Sequence, residues 1–225
     1  MIKQRAVFFD LDGTLIDSVP DVHLCLCKAL GIRSSQALTV RHVREFVGQG
    51  ARPLVKEAMK LLYGEDELER LDQLVSLFIS EYRLNPVRLT TLYPGACELL
   101  NYLKGKGIRL AICTNKPHAT TEPVLKRLNL IDYFDEILCG DQVSHPKPDG
   151  RHITSIMENM SLTRDSIIMV GDSRNDLEAS HDAGVRSIAV SYGYESDLFE
   201  HPLVDIKVNT LSEICEKLEE VWDIE

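Results

Sequence analysis

Acidic side chains stand where apolar segments of this chain come to an end. Asp10 and Asp12 follow the apolar run at residues 6–9, and Asp172 follows a similar run later in the chain. Lys147 lies in a polar segment between them. If the apolar runs are parallel strands, these four side chains meet in the crevice beyond the strands' carboxyl ends, where open α/β sheets bind ligands. Three carboxylates in one crevice need a cation to offset their repulsion, and oxygen ligands near phosphate favour magnesium.

The same set of residues suits phosphoryl transfer. One carboxylate can attack phosphorus and form an aspartyl-phosphate, which divides a difficult hydrolysis into two easier steps. A second carboxylate can protonate the leaving alcohol and afterwards activate water. Thr114 and Asn115 follow the second predicted strand, and together with Lys147 they offer donors and positive charge for the phosphoryl oxygens.

A further acid, Asp176, follows Asp172 by four residues at the start of a predicted helix. An acid in the first turn of a helix complements the helix dipole, which is the structural interpretation of this position. The functional interpretation, which we favour, is that Asp176 supports the metal ligands from outside or bonds a metal-bound water.

The elements that must position these residues alternate along the chain. Continuous apolar runs are typical of parallel strands that are covered on both faces. Such runs lie at residues 6–9, 109–113, 136–139, 167–170 and 187–190, with a short last strand near 206–208. Helical patterns lie at residues 96–105, 119–128, 151–160, 174–183 and 212–221. The pattern predicts an α/β fold with a Rossmann-like, doubly wound and mostly parallel sheet.

Residues 17–88 interrupt this alternation. They contain helical patterns that begin near Ser18 and at 40–46, 53–63 and 67–82, and they contain no credible strand. We therefore predict a catalytic core of residues 1–16 and 89–225, with 17–88 as a helical cap inserted after the first strand. The cap should lie above the carboxyl end of that strand.

Composition limits the partners of the protein. The 225 residues include 25 Lys and Arg and 35 Asp and Glu, which gives a formal net charge of −10. This balance disfavours nucleic acid and anionic membranes, so we expect a small phosphorylated metabolite as the partner of a monomer or homodimer. No long apolar run or secretory signal is evident, and the six cysteines and seven histidines are scattered. We expect a cytoplasmic protein with free thiols and no cysteine or histidine metal site.

Four ordered segments resemble the motifs of the haloacid dehalogenase superfamily of phosphohydrolases. Phe8–Leu15 resembles the first motif, Ile112–Asn115 the second, Lys147–Pro148 the third and Val170–Asp176 the fourth. The resemblance covers nearly the whole chain, and it places residues 17–88 where that superfamily carries a cap.

The resemblance also implies roles for individual residues. It makes Asp10 the nucleophile and Asp12 the general acid and base. It makes Asp10, Asp172 and the main-chain carbonyl of Asp12 the ligands of a magnesium ion. True haloacid dehalogenases lack the second acid, so the presence of Asp12 favours the phosphatase branch.

Within that branch, further segments resemble phosphoglycolate phosphatases. These segments are Phe46–Ala51, Thr114–Pro117 and Ser191–Tyr194. The sequence departs from the pattern at Gly150, where the third motif usually has a second proline, and at Gln49, where asparagine is common. The resemblance implies that 2-phosphoglycolate is the substrate.

Other activities share much of this pattern. Related enzymes hydrolyse sugar phosphates, pyrophosphate or nucleotides, and phosphosugar mutases use the same acids. Receiver domains of signalling proteins also join an acid cluster to a threonine and a lysine, but they are about half as long and have no cap. The second acid and the inserted helices favour an enzyme.

Substrate choice is expected to lie in the predicted cap. Gly48, Gln49 and Gly50 form a glycine-bearing turn that opens a helix, and such a start presents free N–H groups to an anion. Arg52 follows, and its guanidinium can hold a carboxylate with two hydrogen bonds. We therefore predict that these four residues contact the leaving group of the substrate, the alternative being that Arg52 lies on a solvated helix face.

Overall fold

Six parallel strands form the central sheet of the computed structural model, which describes residues 4–32, 37–64 and 68–222. The strands of the chain are β1 Ala6–Phe9, β2 Ile16–Asp17, β3 Thr91–Leu92, β4 Arg109–Thr114, β5 Glu136–Cys139, β6 Ile167–Gly171, β7 Arg186–Val190 and β8 Ile206–Val208. The order in the sheet is β5-β4-β1-β6-β7-β8, and all neighbours run parallel. The chain builds outward from β1 to one side and then to the other, so the predicted doubly wound fold is confirmed.

Helices cover both faces of this sheet. The helices are α1 Val19–Ala29, α2 Val40–Phe46, α3 Ala51–Tyr63, α4 Leu71–Leu84, α5 Ala96–Gly105, α6 His118–Arg127, α7 Arg151–Met160, α8 Arg174–Ala183 and α9 Leu211–Trp222. Val7 and Phe9 of β1 pack in the core that includes α5 and α9, whereas Ala6 and Phe8 pack in the core that includes α7 and α8. Since β1 is fully buried on both faces, its sequence is continuously apolar rather than alternating.

Four α-helices are inserted between β2 and β3. Helices α1 to α4 pack against one another, and β2 and β3 flank them as a short antiparallel pair. The pair joins Ile16 to Leu92 and Asp17 to Thr91. Two-residue strands are too short to show any alternation, so the sequence did not predict them. The division into a core and a cap at residues 17 and 88 stays a prediction.

The carboxylate of Asp21 ties the two ends of the insertion together. Its Oδ2 accepts hydrogen bonds from the main-chain nitrogens of Arg88, Leu89 and Thr90 at 2.7 to 2.8 Å and from the Thr90 hydroxyl at 2.7 Å. Burial alone would raise the pKa of Asp21, but these donors outweigh it and lower the pKa. The contact fixes the point at which the chain returns to the sheet.

Helix boundaries in the insertion differ slightly from the prediction. Helix α3 begins at Ala51, two residues before the predicted start at Pro53. Helix α4 begins at Leu71 after a short 3₁₀ turn at Leu68–Arg70, and the predicted start at Glu67 lies outside the described residues. Among the described residues, every helix is too short or too polar to span a lipid bilayer.

Candidate active site

Asp10 lies at the carboxyl end of β1, in the middle of the sheet. Its main-chain nitrogen donates to the carbonyl of Val170 at 2.9 Å, which extends the pairing of β1 with β6 by one residue. The side chain is buried, and its Oδ1 lies 3.0 Å from Nζ of Lys147. Burial raises the pKa of Asp10 to about 6, although the Lys147 ammonium partly opposes that rise. Asp10 is therefore a buried carboxylate whose charge depends on neighbouring cations.

Lys147 joins two carboxylates from different elements. Its Nζ also donates to Oδ1 of Asp176 at 2.6 Å, and only 2% of its side chain is exposed. Burial alone would lower the pKa of Lys147, but the charges of Asp10 and Asp176 raise it well above its usual value. The lysine is thus permanently charged beside Asp10.

Asp172 follows β6 and lies in a closely fitted space. Its Oδ1 accepts from the Thr14 hydroxyl at 2.9 Å, and its Oδ2 accepts from the main-chain nitrogen of Tyr194 at 2.8 Å. A Cβ atom at Gly13 or at Gly193 would lie 2.1 Å from Asp172, so both positions need glycine, and Gly13 also has a φ of +91°. Burial and the nearby carboxylates of Asp10 and Asp176 raise the pKa of Asp172 well above its usual value.

Three of these carboxylates could hold a cation. One oxygen each from Asp10, Asp172 and Asp176 lies within 4.8 Å of the others, and all three residues are buried. Lys147 is the only cation that the described residues place in salt-bridge contact with this group, so negative charge remains in excess. All ligand atoms are oxygens, which is the donor set that magnesium prefers. The residues therefore fit the predicted metal.

Asp176 caps the start of its own helix and also contacts Lys147. Its Oδ2 accepts from the nitrogen and the hydroxyl of Ser173 at 3.0 and 2.7 Å, in a capping box at the start of α8. The structural and functional interpretations of Asp176 are therefore compatible. Through Lys147, Asp176 is linked to Asp10.

Asp12 belongs to a second cluster, which the sequence did not predict. Its two carboxylate oxygens lie 3.1 and 2.9 Å from Nζ of Lys116, and the Ser18 hydroxyl donates to Oδ1 at 2.5 Å. Lys116 also donates to the hydroxyl of Tyr82 at 3.1 Å and lies 4.4 Å from the centre of that ring. The side chain of Asp12 is outside the group of three carboxylates, so the metal role predicted for its main-chain carbonyl stays a prediction.

Thr114 and Asn115 end β4 beside these clusters. The Thr114 hydroxyl accepts from the main-chain nitrogen of Lys116 at 3.2 Å. Nδ2 of Asn115 donates to the carbonyls of Gly48 and Lys147 at 2.9 and 2.7 Å. Asn115 therefore connects the inserted helices to the loop that carries Lys147, and its predicted contact with phosphate stays a prediction.

A pocket lies between the Asp12 cluster and the inserted helices. On the sheet side it is lined by the two aspartates that follow β1, by the last residue of β4 and by the segment after it. On the side of the insertion, the lining is made of small and apolar residues and one tyrosine, namely Val22, Val47, Gly48, Gly50, Ala51, Leu54, Phe78 and Tyr82. A leaving group in this pocket would meet mainly apolar atoms on that side.

The turn before α3 reaches the pocket only in part. Gly48 and Gly50 line it, and the Gly48 carbonyl receives donors from both Asn115 and Asn175. Gln49 is exposed and is not among the lining residues.

Arg52 lies away from the pocket in which it was expected to contact the substrate. Its side chain is 59% exposed and pairs with Asp72 of α4, and it does not line the pocket. The physical reason is helix geometry, because α3 buries Ala51, Leu54 and Val55 and so turns Arg52 toward solvent. Arg52 lies on a solvated helix face.

We expect Arg52→Ala to leave catalysis nearly unchanged. The kcat/KM for 2-phosphoglycolate should stay within about twofold of the parent protein. The free energy of unfolding should fall by no more than about 1 kcal/mol, since the ion pair with Asp72 is exposed to solvent. Steady-state kinetics and chemical denaturation measure both values, and a tenfold loss of kcat/KM would return Arg52 to the site.

Comparison with known proteins shows which family the chain resembles. The family model of the haloacid dehalogenase-like hydrolases matches residues 7–190. A phosphoglycolate phosphatase of Agrobacterium fabrum is 38% identical over 199 residues, which cover 88% of this chain and 84% of that protein. Phosphoglycolate phosphatase 1 of Pseudomonas aeruginosa is 37% identical, covering 84% of this chain and 70% of that protein. A crystal structure of a predicted phosphoglycolate phosphatase from Haemophilus somnus superposes with a TM-score of 0.85 at 28% identity, covering 96% of this chain and 99% of that one.

Proposed function

The chain belongs to the haloacid dehalogenase-like hydrolases, as its motifs predicted, and from this premise we propose that it is a magnesium-dependent phosphatase of 2-phosphoglycolate. The names of the relatives from Agrobacterium fabrum and Pseudomonas aeruginosa support this substrate. The products are glycolate and inorganic phosphate.

One observation carries the proposal. The two aspartates that follow β1 each contact a different buried lysine, Asp10 with Lys147 and Asp12 with Lys116. Two acids with different ionic partners can have different catalytic roles, one as a nucleophile and one as a general acid and base. This division of roles is what hydrolysis through a covalent intermediate requires.

The two steps follow from that division. A carboxylate oxygen of Asp10 attacks phosphorus, the bond to the ester oxygen breaks, and Asp12 gives its proton to the departing alkoxide. Asp12 then takes a proton from water, whose oxygen attacks the phosphorus of the aspartyl-phosphate and frees Asp10 and phosphate. Lys147 offsets negative charge on Asp10. The proposed donors to phosphoryl oxygens are Thr114 and Asn115, whose side-chain amide would have to release the Gly48 carbonyl to donate.

The proposed metal ligands are Asp10, Asp172 and the main-chain carbonyl of Asp12. When bound, magnesium adds positive charge that offsets these carboxylates and polarises the phosphoryl group. Asp176 supports this site through Lys147.

The composition of the pocket argues for a small leaving group. Among the described lining residues, the insertion offers one polar side chain, Tyr82, and its hydroxyl already accepts from Lys116. The hydroxyl groups of a sugar or a nucleoside would be left without partners against Val22, Leu54 and Phe78, at a cost of about 1–3 kcal/mol each. This favours a short ester over a sugar phosphate, a nucleotide or the substrate of a phosphosugar mutase.

A panel of phosphate monoesters tests the proposal. Release of phosphate should be measured for 2-phosphoglycolate, sugar phosphates, nucleoside monophosphates and pyrophosphate, and the substrates ranked by kcat/KM. We expect 2-phosphoglycolate to rank first by at least tenfold. A higher kcat/KM for a sugar phosphate or a nucleotide would overturn the substrate assignment while leaving the phosphatase class in place.

We expect activity to disappear when divalent metal is removed. Dialysis against a chelator should lower kcat by at least about a hundredfold, and added Mg²⁺ should restore it. Excess Ca²⁺ should inhibit, since calcium accepts seven or eight oxygens and draws a carboxylate into two-oxygen contact. The circular dichroism spectrum should not change, which separates loss of metal from loss of fold. Full turnover in the chelator would contradict the metal assignment.

A further inference from the structure

We propose that Lys116 selects substrates that carry a carboxylate next to the phosphate ester. This inference rests on the proposed function and names the residue that recognises the acid part of the substrate. It replaces Arg52, which the sequence favoured for that task but which faces solvent.

The first argument is the position of the ammonium group. Only 5% of the Lys116 side chain is exposed, and Lys116 is the one cation among the described residues that line the pocket of the leaving group. A buried cation that faces a mainly apolar wall attracts an anion strongly, because little water screens its charge. An uncharged leaving group gains no attraction between charges from it.

The second argument is the number of hydrogen-bond donors. An ammonium group has three N–H donors. Here it has two contacts with the same carboxylate, Asp12, and one with the hydroxyl of Tyr82. One donor can therefore turn to a second carboxylate while Asp12 keeps a contact. The ammonium group also lies over the Tyr82 ring, which limits where it can move.

The third argument is the pairing of two cations with two neighbouring acids. Lys147 contacts Asp10, where we place the phosphoryl group, and Lys116 contacts Asp12, which we place beside the ester oxygen. Asp10 and Asp12 are separated by a single residue, so the two ion pairs start from neighbouring points of the chain. Two anionic groups joined by a single carbon fit this short spacing better than two anions on a long chain.

The competing explanation is that Lys116 only orients Asp12. In that case its removal would slow every ester by the same factor, since all of them need a proton at the leaving oxygen. If Lys116 binds the carboxylate, its removal slows an acidic ester more than a neutral ester of equal size. The ratio of the two rates cancels any effect that Lys116 has on Asp12.

The experiment compares 2-phosphoglycolate with 2-hydroxyethyl phosphate, which replaces the carboxylate by a neutral hydroxymethyl group. Lys116→Gln can still donate to Asp12 but has no charge, and Lys116→Met serves as a second variant that keeps the apolar stem. Lys126→Gln, an exposed lysine on α6, is the matched control. Circular dichroism checks that each variant is folded.

We expect Lys116→Gln to lower the preference for 2-phosphoglycolate, expressed as the ratio of the two kcat/KM values, by about ten- to a hundredfold, mainly through KM. Lys126→Gln should keep the ratio of the parent protein. A Lys116→Gln ratio within twofold of the parent value, with both substrates slowed equally, would overturn the inference and leave the proposed function standing.

Inhibition by glycolate separates the two proposals. Glycolate should compete with 2-hydroxyethyl phosphate in the parent protein, and its inhibition constant should rise at least tenfold in Lys116→Gln. If the parent protein does not prefer 2-phosphoglycolate but shows this change, the carboxylate site of Lys116 stands and the substrate assignment fails. If the glycolate inhibition constant is the same in both proteins, Lys116 does not bind the carboxylate.

Discussion

Asp10→Asn is expected to abolish turnover of every phosphate ester while the fold remains intact. The amide cannot attack phosphorus to form the acyl-phosphate. Among the described residues, the only other carboxylate in contact with Lys147 is Asp176 of α8, whose oxygens are held by Ser173 and Lys147. Residual kcat should be below about 1% of the parent value, which corresponds to a barrier raised by more than about 2.7 kcal/mol.

The same variant should gain stability when metal is absent. Burial raises the pKa of Asp10 to about 6, so the folded state holds the proton more tightly than the unfolded state does. The stability that this carboxyl contributes is fully present below its unfolded pKa and is lost as pH rises through about 6. At neutral pH in a chelator, Asp10→Asn removes this penalty, and thermal unfolding should therefore show an equal or higher Tm.

Two measurements check this prediction against a control. Asp132→Asn makes the same change from carboxylate to amide at an exposed residue, and it should alter neither kcat nor Tm. Residual activity of Asp10→Asn above about 1% would mean that another group is the nucleophile. A lower Tm in the chelator would mean that Asp10 stabilises the fold without metal, contrary to its burial among acids.

The sheet and the residues at its edge were predictable because their signals are local. A strand covered on both faces needs apolar residues at every position, and Ala6–Phe9 has them. The carboxyl ends of such strands meet at one edge of the sheet, so Asp10, Asp172 and Lys147 could be brought together before any coordinates were known. The short pair β2 and β3 gave no such signal, because two residues cannot establish a period.

The residues around the leaving group were harder to predict because they depend on long-range packing. Lys116 is separated from Asp12 by 104 residues, and Tyr82 comes from the inserted helices. The sequence signals for Lys116 were its position directly after Thr114 and Asn115 and its place in the segment Thr114–Pro117, which resembles phosphoglycolate phosphatases. The prediction for Arg52 rested on local sequence alone, because an arginine next to a glycine-bearing turn suggested an anion site. Its direction depends on which face α3 buries.

Asp12→Asn is expected to slow esters of basic alcohols far more than esters of weakly basic ones. Asparagine can still accept from Ser18 and Lys116, so the arrangement around residue 12 should persist, but it has no acidic proton to give. For 2-phosphoglycolate we expect kcat to fall by about 10²–10³, within the range of general acid catalysis. With p-nitrophenyl phosphate, formation of the aspartyl-phosphate should slow by less than about tenfold, because p-nitrophenolate leaves without a proton.

Rapid-mixing kinetics separate the two tasks of Asp12. In Asp12→Asn, p-nitrophenol should appear in a burst of one equivalent per protein, followed by a slow steady state, because water attack on the aspartyl-phosphate still lacks its base. Ser18→Ala keeps the carboxylate of Asp12 and should show no such burst. A burst slowed as strongly as the hydrolysis of 2-phosphoglycolate would show that the first step needs Asp12 whatever the leaving group. Asp12 would then be acting on the phosphoryl group or on Lys116, and proton transfer to the ester oxygen would belong to another residue.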